Sequence, residues 1–293
     1  MIKILFFIPS LSKGGAEKVL CNLVNNMDQN EFEITIQTIY KCDYKKFLNK
    51  GIRYKSILNF KSDILNKLYF FWYRVCAELR LAYSFFIKDD YDIEIAYLEC
   101  GATKVISQST NKKAIKLAWV HCDLSKKENM DQRVEKTKRQ YQKFNQVICV
   151  SKDVEKGFHR LYGDKLNTKV IYNVIDDTEI INKSKKELDM NLFKKNEIQL
   201  LALGRLTKQK NFAYLIDTCA KLSRDNYSFH LNILGEGPER NNLEKQIKEL
   251  NILDKVSLRG FISNPYPWIK KCDLIVCSSK YEGISTVLQE AFI

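Results

Sequence analysis

The chain has 293 residues, 45% apolar and 28% charged, and a formal net charge of +13. The length suits two domains of about 150 residues each, and the composition is that of a folded globular protein and not of a disordered or fibrous one. No apolar run reaches the roughly 20 residues of a membrane-spanning helix, nine cysteines without a Cys-x-x-Cys pair predict reduced core thiols of a cytosolic protein, and the charge calls for a polyanionic partner: nucleic acid, an anionic membrane face or phosphorylated small molecules.

The apolar run Ile4 to Ile8, followed by Pro9, predicts a first β-strand and not a signal peptide, so the mature chain is expected to start at Met1. A loop ending in Gly14-Gly15-Ala16-Glu17 leads to Val19, Leu20, Leu23, Val24 and Met27 at helical spacing. The paired glycines either admit a ligand close to the backbone or only make a tight turn. Strands are expected at Phe32 to Ile39 and Arg53 to Leu58, with a short helix between them.

Residues 62–88 predict one long helix, rich in aromatics (Tyr69, Phe70, Phe71, Trp72, Tyr73, Phe85, Phe86) interleaved with Lys67, Arg74, Arg80 and Lys88. Two readings stay open for it, a core helix packed on a sheet and an interfacial helix lying on an anionic membrane. Strands at Asp92 to Leu98 and Ile115 to Val120 follow, with a helix from Gly101 to Ser109 between. His121 falls at the carboxyl end of the second strand, the edge where open α/β sheets bind ligands, although a lone histidine is more often structural. Residues 126–143 are cationic, and then come a strand at Val147 to Val150, a helix capped by Ser151 and a strand at Lys169 to Tyr172. Residues 178–196 are lysine-rich with few large apolar side chains and read as a linker between domains at 1–177 and 197–293.

The second half repeats the alternation: strands at Ile198 to Leu203, Phe229 to Leu234, Val256 to Leu258 and Leu274 to Cys277, with helices between. Both halves therefore predict an α/β fold of parallel sheets covered on both faces. Arg205 and Lys210, in the loop opened by Gly204, could grip a diphosphate from either side. Gly235-Glu236-Gly237-Pro238 starts another helix at the same sheet edge. At the end of the chain, Gly283, Ile284 and Ser285 lie between Glu282 and Glu290, with the helix expected from Ile284 onward. These three anion-friendly features on one edge point to a diphosphate ligand. The three scattered histidines give no metal cluster, Asp90 and Asp92 read as turn chemistry, and no nucleophile elbow or nucleic-acid-binding signature occurs.

Taken together, Gly14-Gly15-Ala16-Glu17, Gly204-Arg205-Leu206 with Lys210, Gly235-Glu236-Gly237-Pro238, and Glu282-Gly283 with Glu290-Ala291 resemble family 4 retaining glycosyltransferases of the GT-B fold across the whole chain. The resemblance implies two Rossmann-like domains, a nucleotide-sugar donor held by the second and an acceptor held by the first. It implies that Arg205 and Lys210 bind the donor diphosphate, that Glu282 faces the donor sugar and Glu290 the ribose, that Gly15 lets its loop approach the diphosphate, and that His121 lines the sugar site. No metal or other cofactor is implied. For the bacterial glycan-assembly type it implies a polyprenyl-diphosphate-linked or other glycan acceptor, at the cytoplasmic face of the cell membrane. Family members continue beyond the second glutamate, so the second domain is expected to be incomplete, and the shortened chain could be inactive. A nucleotide-sugar 2-epimerase of similar fold and a non-catalytic membrane-surface binding fragment remain alternatives.

Overall fold

The computed structural model describes residues 1–11, 14–127, 130–189, 192–194 and 196–293. They fall into two compact units, Met1–Val174 and Ile175–Ile293.

Unit 1 is built on one parallel sheet of seven strands: β1 (Ile2–Ile8), β2 (Phe32–Tyr40), β3 (Arg53–Leu58), β4 (Ile93–Ala96), β5 (Ile115–Val120), β6 (Gln146–Cys149) and β7 (Thr168–Val170). Their order is β3-β2-β1-β4-β5-β6-β7. β1 lies inside the sheet, between β2 and β4, and its Ile4 to Ile8 are apolar on both faces and all buried, as a strand covered on both sides requires. The connecting helices are α1 (Gly15–Asn25), α2 (Asp63–Glu78), α3 (Ala82–Phe86), α4 (Gly101–Ile106), α5 (Val134–Tyr141) and α6 (Lys152–Tyr162). α6 begins where the Ser151 hydroxyl accepts from Val154 N at 3.3 Å, and it ends at Gly163, whose φ of +77° suits glycine. Asp92 accepts from Lys3 N at 2.8 Å and so ties the amino ends of β1 and β4, in keeping with a turn role.

The stretch 62–88 forms two helices and not one. α2 stops at Glu78, Arg80 takes a left-handed φ of +61°, and α3 starts at Ala82. A left-handed residue cannot continue a right-handed helix, so the break is enforced by the backbone.

Unit 2 contains α7 (Asp177–Ser184), β8 (Ile198–Leu203), α8 (Phe212–Arg224), β9 (Phe229–Leu234), α9 (Arg240–Glu249), β10 (Val256–Gly260), α10 (Tyr266–Lys271), β11 (Leu274–Ile275) and α11 (Thr286–Ala291). The four strands form a parallel sheet in the order β10-β9-β8-β11. Alternate residues of β8 face opposite ways: Leu200 and Ala202 pack with Phe212, Ile216 and Leu243, whereas Leu201 packs with Trp268.

The residues expected to form a linker, 178–196, include most of α7. Asp176 caps α7 by accepting from Glu179 N at 2.8 Å, and Ile180 is buried. Leu188, Leu192 and Phe193 pack against the Leu201–Trp268 cluster. Its few apolar residues give the segment the average composition of a linker, yet those few complete the second face of the unit 2 sheet.

Candidate functional site

In a doubly wound sheet, ligands bind beyond the carboxyl ends of the strands where the strand order reverses. In unit 2 the chain runs from β8 outward to β9 and β10, then returns to place β11 on the other side of β8. The reversal therefore lies between β8 and β11, and the loops after these two strands are 204–211 and 276–285.

Four bonds join those loops. Lys280 N donates to Gln209 O at 2.9 Å, Gln209 Nε2 donates to Tyr281 O at 3.0 Å, and the Ser278 hydroxyl donates to Lys210 O at 2.9 Å. The fourth is an ion pair, Lys210 Nζ to Glu282 Oε1 at 2.5 Å, with the two side chains 22% and 25% exposed. Gly204 makes room for it, since a Cβ there would stand 3.0 Å from Lys210 Cε. The structure thus brings Lys210 and Glu282 together from positions 72 residues apart. Arg205 lies on the same loop, exposed, with no ion-pair partner among the described residues. An ammonium held by a carboxylate, with an exposed guanidinium on the same loop, is suited to neutralise a diphosphate and to fix the group attached to it.

The glycines after β8 and β9 serve chiefly loop-on-loop packing. A Cβ on Gly235 would lie 1.9 Å from Gly204 O, and one on Gly237 would lie 2.3 Å from Leu206 O. Leu206 N donates to Glu236 O at 2.9 Å and Glu239 N donates to Leu206 O at 3.1 Å, so the two loops run in contact. The space beside Gly235 and Gly237 is filled by protein backbone.

α11 begins at Thr286, two residues later than expected from the sequence, because the Ser285 hydroxyl accepts from Leu288 N at 3.5 Å and caps the helix there. A cavity at this turn is lined by Leu203, Lys210, Ser278, Ser279, Ser285 and Val287, which places Ser285 beside Lys210. Gly283 and Ile284 are half-buried, and Glu290 is buried at 9% exposure on α11.

In unit 1 the strand order reverses between β1 and β4. Gly14 caps α1, whose first residue Gly15 is exposed; Ser12 and Lys13, earlier in the same loop, lie outside the described residues. His121 follows β5 directly, so Gly14, Gly15 and His121 all belong to the carboxyl edge of this sheet. The Glu99 carboxylate, just past β4, accepts from His121 N and, at 3.0 Å, from Cys122 N. The His121 ring stands 4.8 Å from the Tyr97 ring, and its Nε2 is buried without a hydrogen-bond partner among the described residues. Asp123, by contrast, has a local duty: it accepts from Ser125 N at 3.0 Å and from the Ser125 hydroxyl at 2.6 Å, capping a short 3₁₀ turn, and Gly157 packs against it. Sequence reasoning missed Glu99, Gln209 and Ser278. Glu99 carried the signal used for His121, a polar residue just past an apolar strand.

Burial holds the His121 imidazole below the ordinary histidine range, with the Glu99 carboxylate pulling the other way. The unfolded chain takes up this proton near pH 6.5 and the folded chain only at lower pH, so between the two the unfolded state binds more protons and stability rises with pH. The contribution is complete above about pH 6.5 and is lost as the pH falls below it. The urea midpoint is therefore expected to fall between about pH 7.5 and 5.5, and His121→Gln is expected to lessen that fall; equal slopes in the two proteins would contradict the buried neutral ring.

Residues 183–293, all within unit 2, match the family model described as glycosyl transferases group 1. The chain is 39% identical over 123 residues to the N-acetylgalactosamine-N,N'-diacetylbacillosaminyl-diphospho-undecaprenol 4-alpha-N-acetylgalactosaminyltransferase of Campylobacter jejuni, a match covering 42% of this chain and only 32% of that relative. A second Campylobacter jejuni relative, GalNAc-alpha-(1->4)-GalNAc-alpha-(1->3)-diNAcBac-PP-undecaprenol alpha-1,4-N-acetyl-D-galactosaminyltransferase, is 26% identical over 296 residues, covering 99% of this chain and 77% of its own. Among solved structures, Anabaena HepE in complex with UDP and glucose has a TM-score of 0.77 at 22% identity, covering 99% of this chain and 78% of that one. This likeness shows a shared fold, two Rossmann-like α/β units.

Proposed function

We propose, from the group 1 glycosyltransferase character of unit 2, that the chain is a retaining family 4 glycosyltransferase of bacterial glycan assembly. It moves a sugar from a nucleoside diphosphate donor held by unit 2 to an acceptor held by unit 1. The observation that carries the proposal is the Lys210–Glu282 pair at the strand-order reversal of unit 2. Lys210 and Arg205 neutralise the donor diphosphate and stabilise it as leaving group, so the transfer needs no metal. Glu282 faces the donor sugar and Glu290 the ribose hydroxyls, while Gly15 and His121, at the carboxyl edge of the unit 1 sheet, keep the roles that the resemblance implies for them. The acceptor oxygen attacks the anomeric carbon on the face the diphosphate leaves, and the departing phosphate oxygen takes the acceptor proton, so no protein nucleophile is required. The solved relative with UDP supports a uridine nucleotide as first choice of donor.

The names of the two Campylobacter relatives, both of which include a diphospho-undecaprenol-linked sugar, support a polyprenyl-diphosphate-linked glycan as acceptor and a peripheral position at the cytoplasmic face of the membrane. The test is a thermal-shift screen of nucleotide sugars, followed by transfer of a labelled sugar with and without lipid-linked acceptor. A donor at 100 times its Kd is expected to stabilise the fold by about 2.7 kcal/mol. Label should then move to lipid only when the acceptor is present. Altered sugar nucleotide without acceptor would indicate an epimerase, and no stabilisation by any donor would remove the assignment.

A further inference from the structure

We propose that the outer face of α2, with Phe60 before it and α3 after it, is the surface by which unit 1 lies in an anionic membrane interface. This deepens the membrane-peripheral part of the function proposed above, and it stands on observations of its own.

α2 is apolar on two sides. Its inner side, Tyr73, Cys76 and Ala77, is buried in the unit 1 core with Leu5, Phe7 and Ala102. Its outer side should be polar in a helix that only packs on a sheet. Instead Ile64, Leu68 and Phe71 are 71%, 62% and 69% exposed, and Leu65 and Trp72 are 50% and 45% exposed. Positions 64, 68, 71 and 72 recur at helical spacing and so form one stripe. Beyond the break at Arg80 the stripe continues, since Phe85, 45% exposed, meets Trp72 edge-to-face at 5.8 Å. At the other end Phe60 meets Tyr69 at 5.0 Å. Singly exposed apolar residues are ordinary, but a contiguous strip over two helices marks an interaction surface.

The rim identifies the occupant. Lys61, Lys67, Arg74, Arg80 and Lys88 are all exposed and border the strip. The only acidic residue at the carboxyl end of α2, Glu78, is already paired, with Lys104 and with Lys136 of α5. Arg133 and Arg139 of that neighbouring segment add exposed positive charge. Aromatic and aliphatic residues at the centre with cations at the border match a bilayer whose acyl boundary takes the strip and whose anionic headgroups take the rim. The strip lies in the interface and does not cross it, because among the described residues no helix is long and apolar enough to span a membrane. β3 ends at the carboxyl edge of the sheet, so Phe60 and Ile64 begin the strip at the edge that also carries Gly14, Glu99 and His121. A docked unit 1 thus offers headgroup-level acceptors to that edge.

The chain holds three tryptophans, of which Trp119 and Trp268 are buried, so Trp72 reports on this surface. The full chain, mixed with phosphatidylglycerol–phosphatidylcholine vesicles, is expected to co-sediment and to shift its tryptophan emission to the blue. Binding should weaken as salt rises to about 0.5 M, where screening shortens the reach of the cationic rim. The double variant Leu68→Asp, Phe71→Asp changes only outward-facing side chains; with an unchanged circular dichroism spectrum it should bind at least about tenfold more weakly. Absence of binding to anionic vesicles would overturn the proposal, as would binding undiminished in the double variant. A wild-type dimer that the double variant dissolves, without vesicle binding, would overturn it in favour of a second copy of the chain. Vesicle binding does not depend on a sugar donor, so failure of the transferase reading and failure of this one give different results.

Discussion

Replacing Lys210 by alanine is expected to lower sugar transfer by about 100- to 1,000-fold, the scale of losing one charge-stabilising group from a transition state. Stability is expected to change far less. The Lys210–Glu282 pair is about a quarter exposed on each side, and ion pairs open to water contribute about 0–1 kcal/mol. The bonds that hold the two loops together, Lys280 N to Gln209 O and the Ser278 hydroxyl to Lys210 O, involve no atom that the substitution removes. Glu282, freed of its partner, keeps enough contact with solvent to stay hydrated. Steady-state transfer rates and urea midpoints measured on the same variant therefore separate the roles: a large loss of rate with little loss of stability supports the diphosphate-binding role, and normal transfer rules it out. Glu282→Ala should follow the same pattern.

Gly235→Ala is expected to do the opposite and act on the fold first. Its φ of +152° lies where side chains are strained, at a cost of about 1–3 kcal/mol. The added methyl would also stand 1.9 Å from Gly204 O, a backbone atom that cannot swing aside, and overpacking of this kind costs about 1–3 kcal/mol more. A loss of about 2–6 kcal/mol in denaturant unfolding follows from the two together. A midpoint within error of the parent protein would show that the β8 and β9 loops separate easily, contrary to their observed contact.

The sequence carried the strand and helix alternation clearly, because a strand such as Leu5 to Ile8 is apolar and buried throughout, and Phe229 to Leu234 is buried throughout with only His230 and Asn232 polar. It also located Lys210 and Glu282 individually at strand ends. Their meeting was not legible, since it depends on β11 returning to lie beside β8, and nothing local in 274–282 states which neighbour the strand takes. The break at Arg80 was hidden for a related reason: arginine has no preference for a left-handed backbone, and the turn between α2 and α3 imposes it. The expected linker failed where a few residues, Ile180 and Phe193 among them, cover a sheet face despite a polar average. The aromatic stretch shows the limit of periodicity most plainly. Its pattern was consistent with both a core face and an exposed one, and the helix has both.

The Glu99 carboxylate has a consequence for the histidine it does not itself touch by side chain. By accepting from two consecutive backbone N–H groups it fastens the turn after β5 to the end of β4, so the His121 ring is carried on a frame braced by two adjacent strands. In the role proposed for it such a ring has little reorganisation left to undergo, and the free energy that a mobile loop would spend on ordering itself stays available for binding.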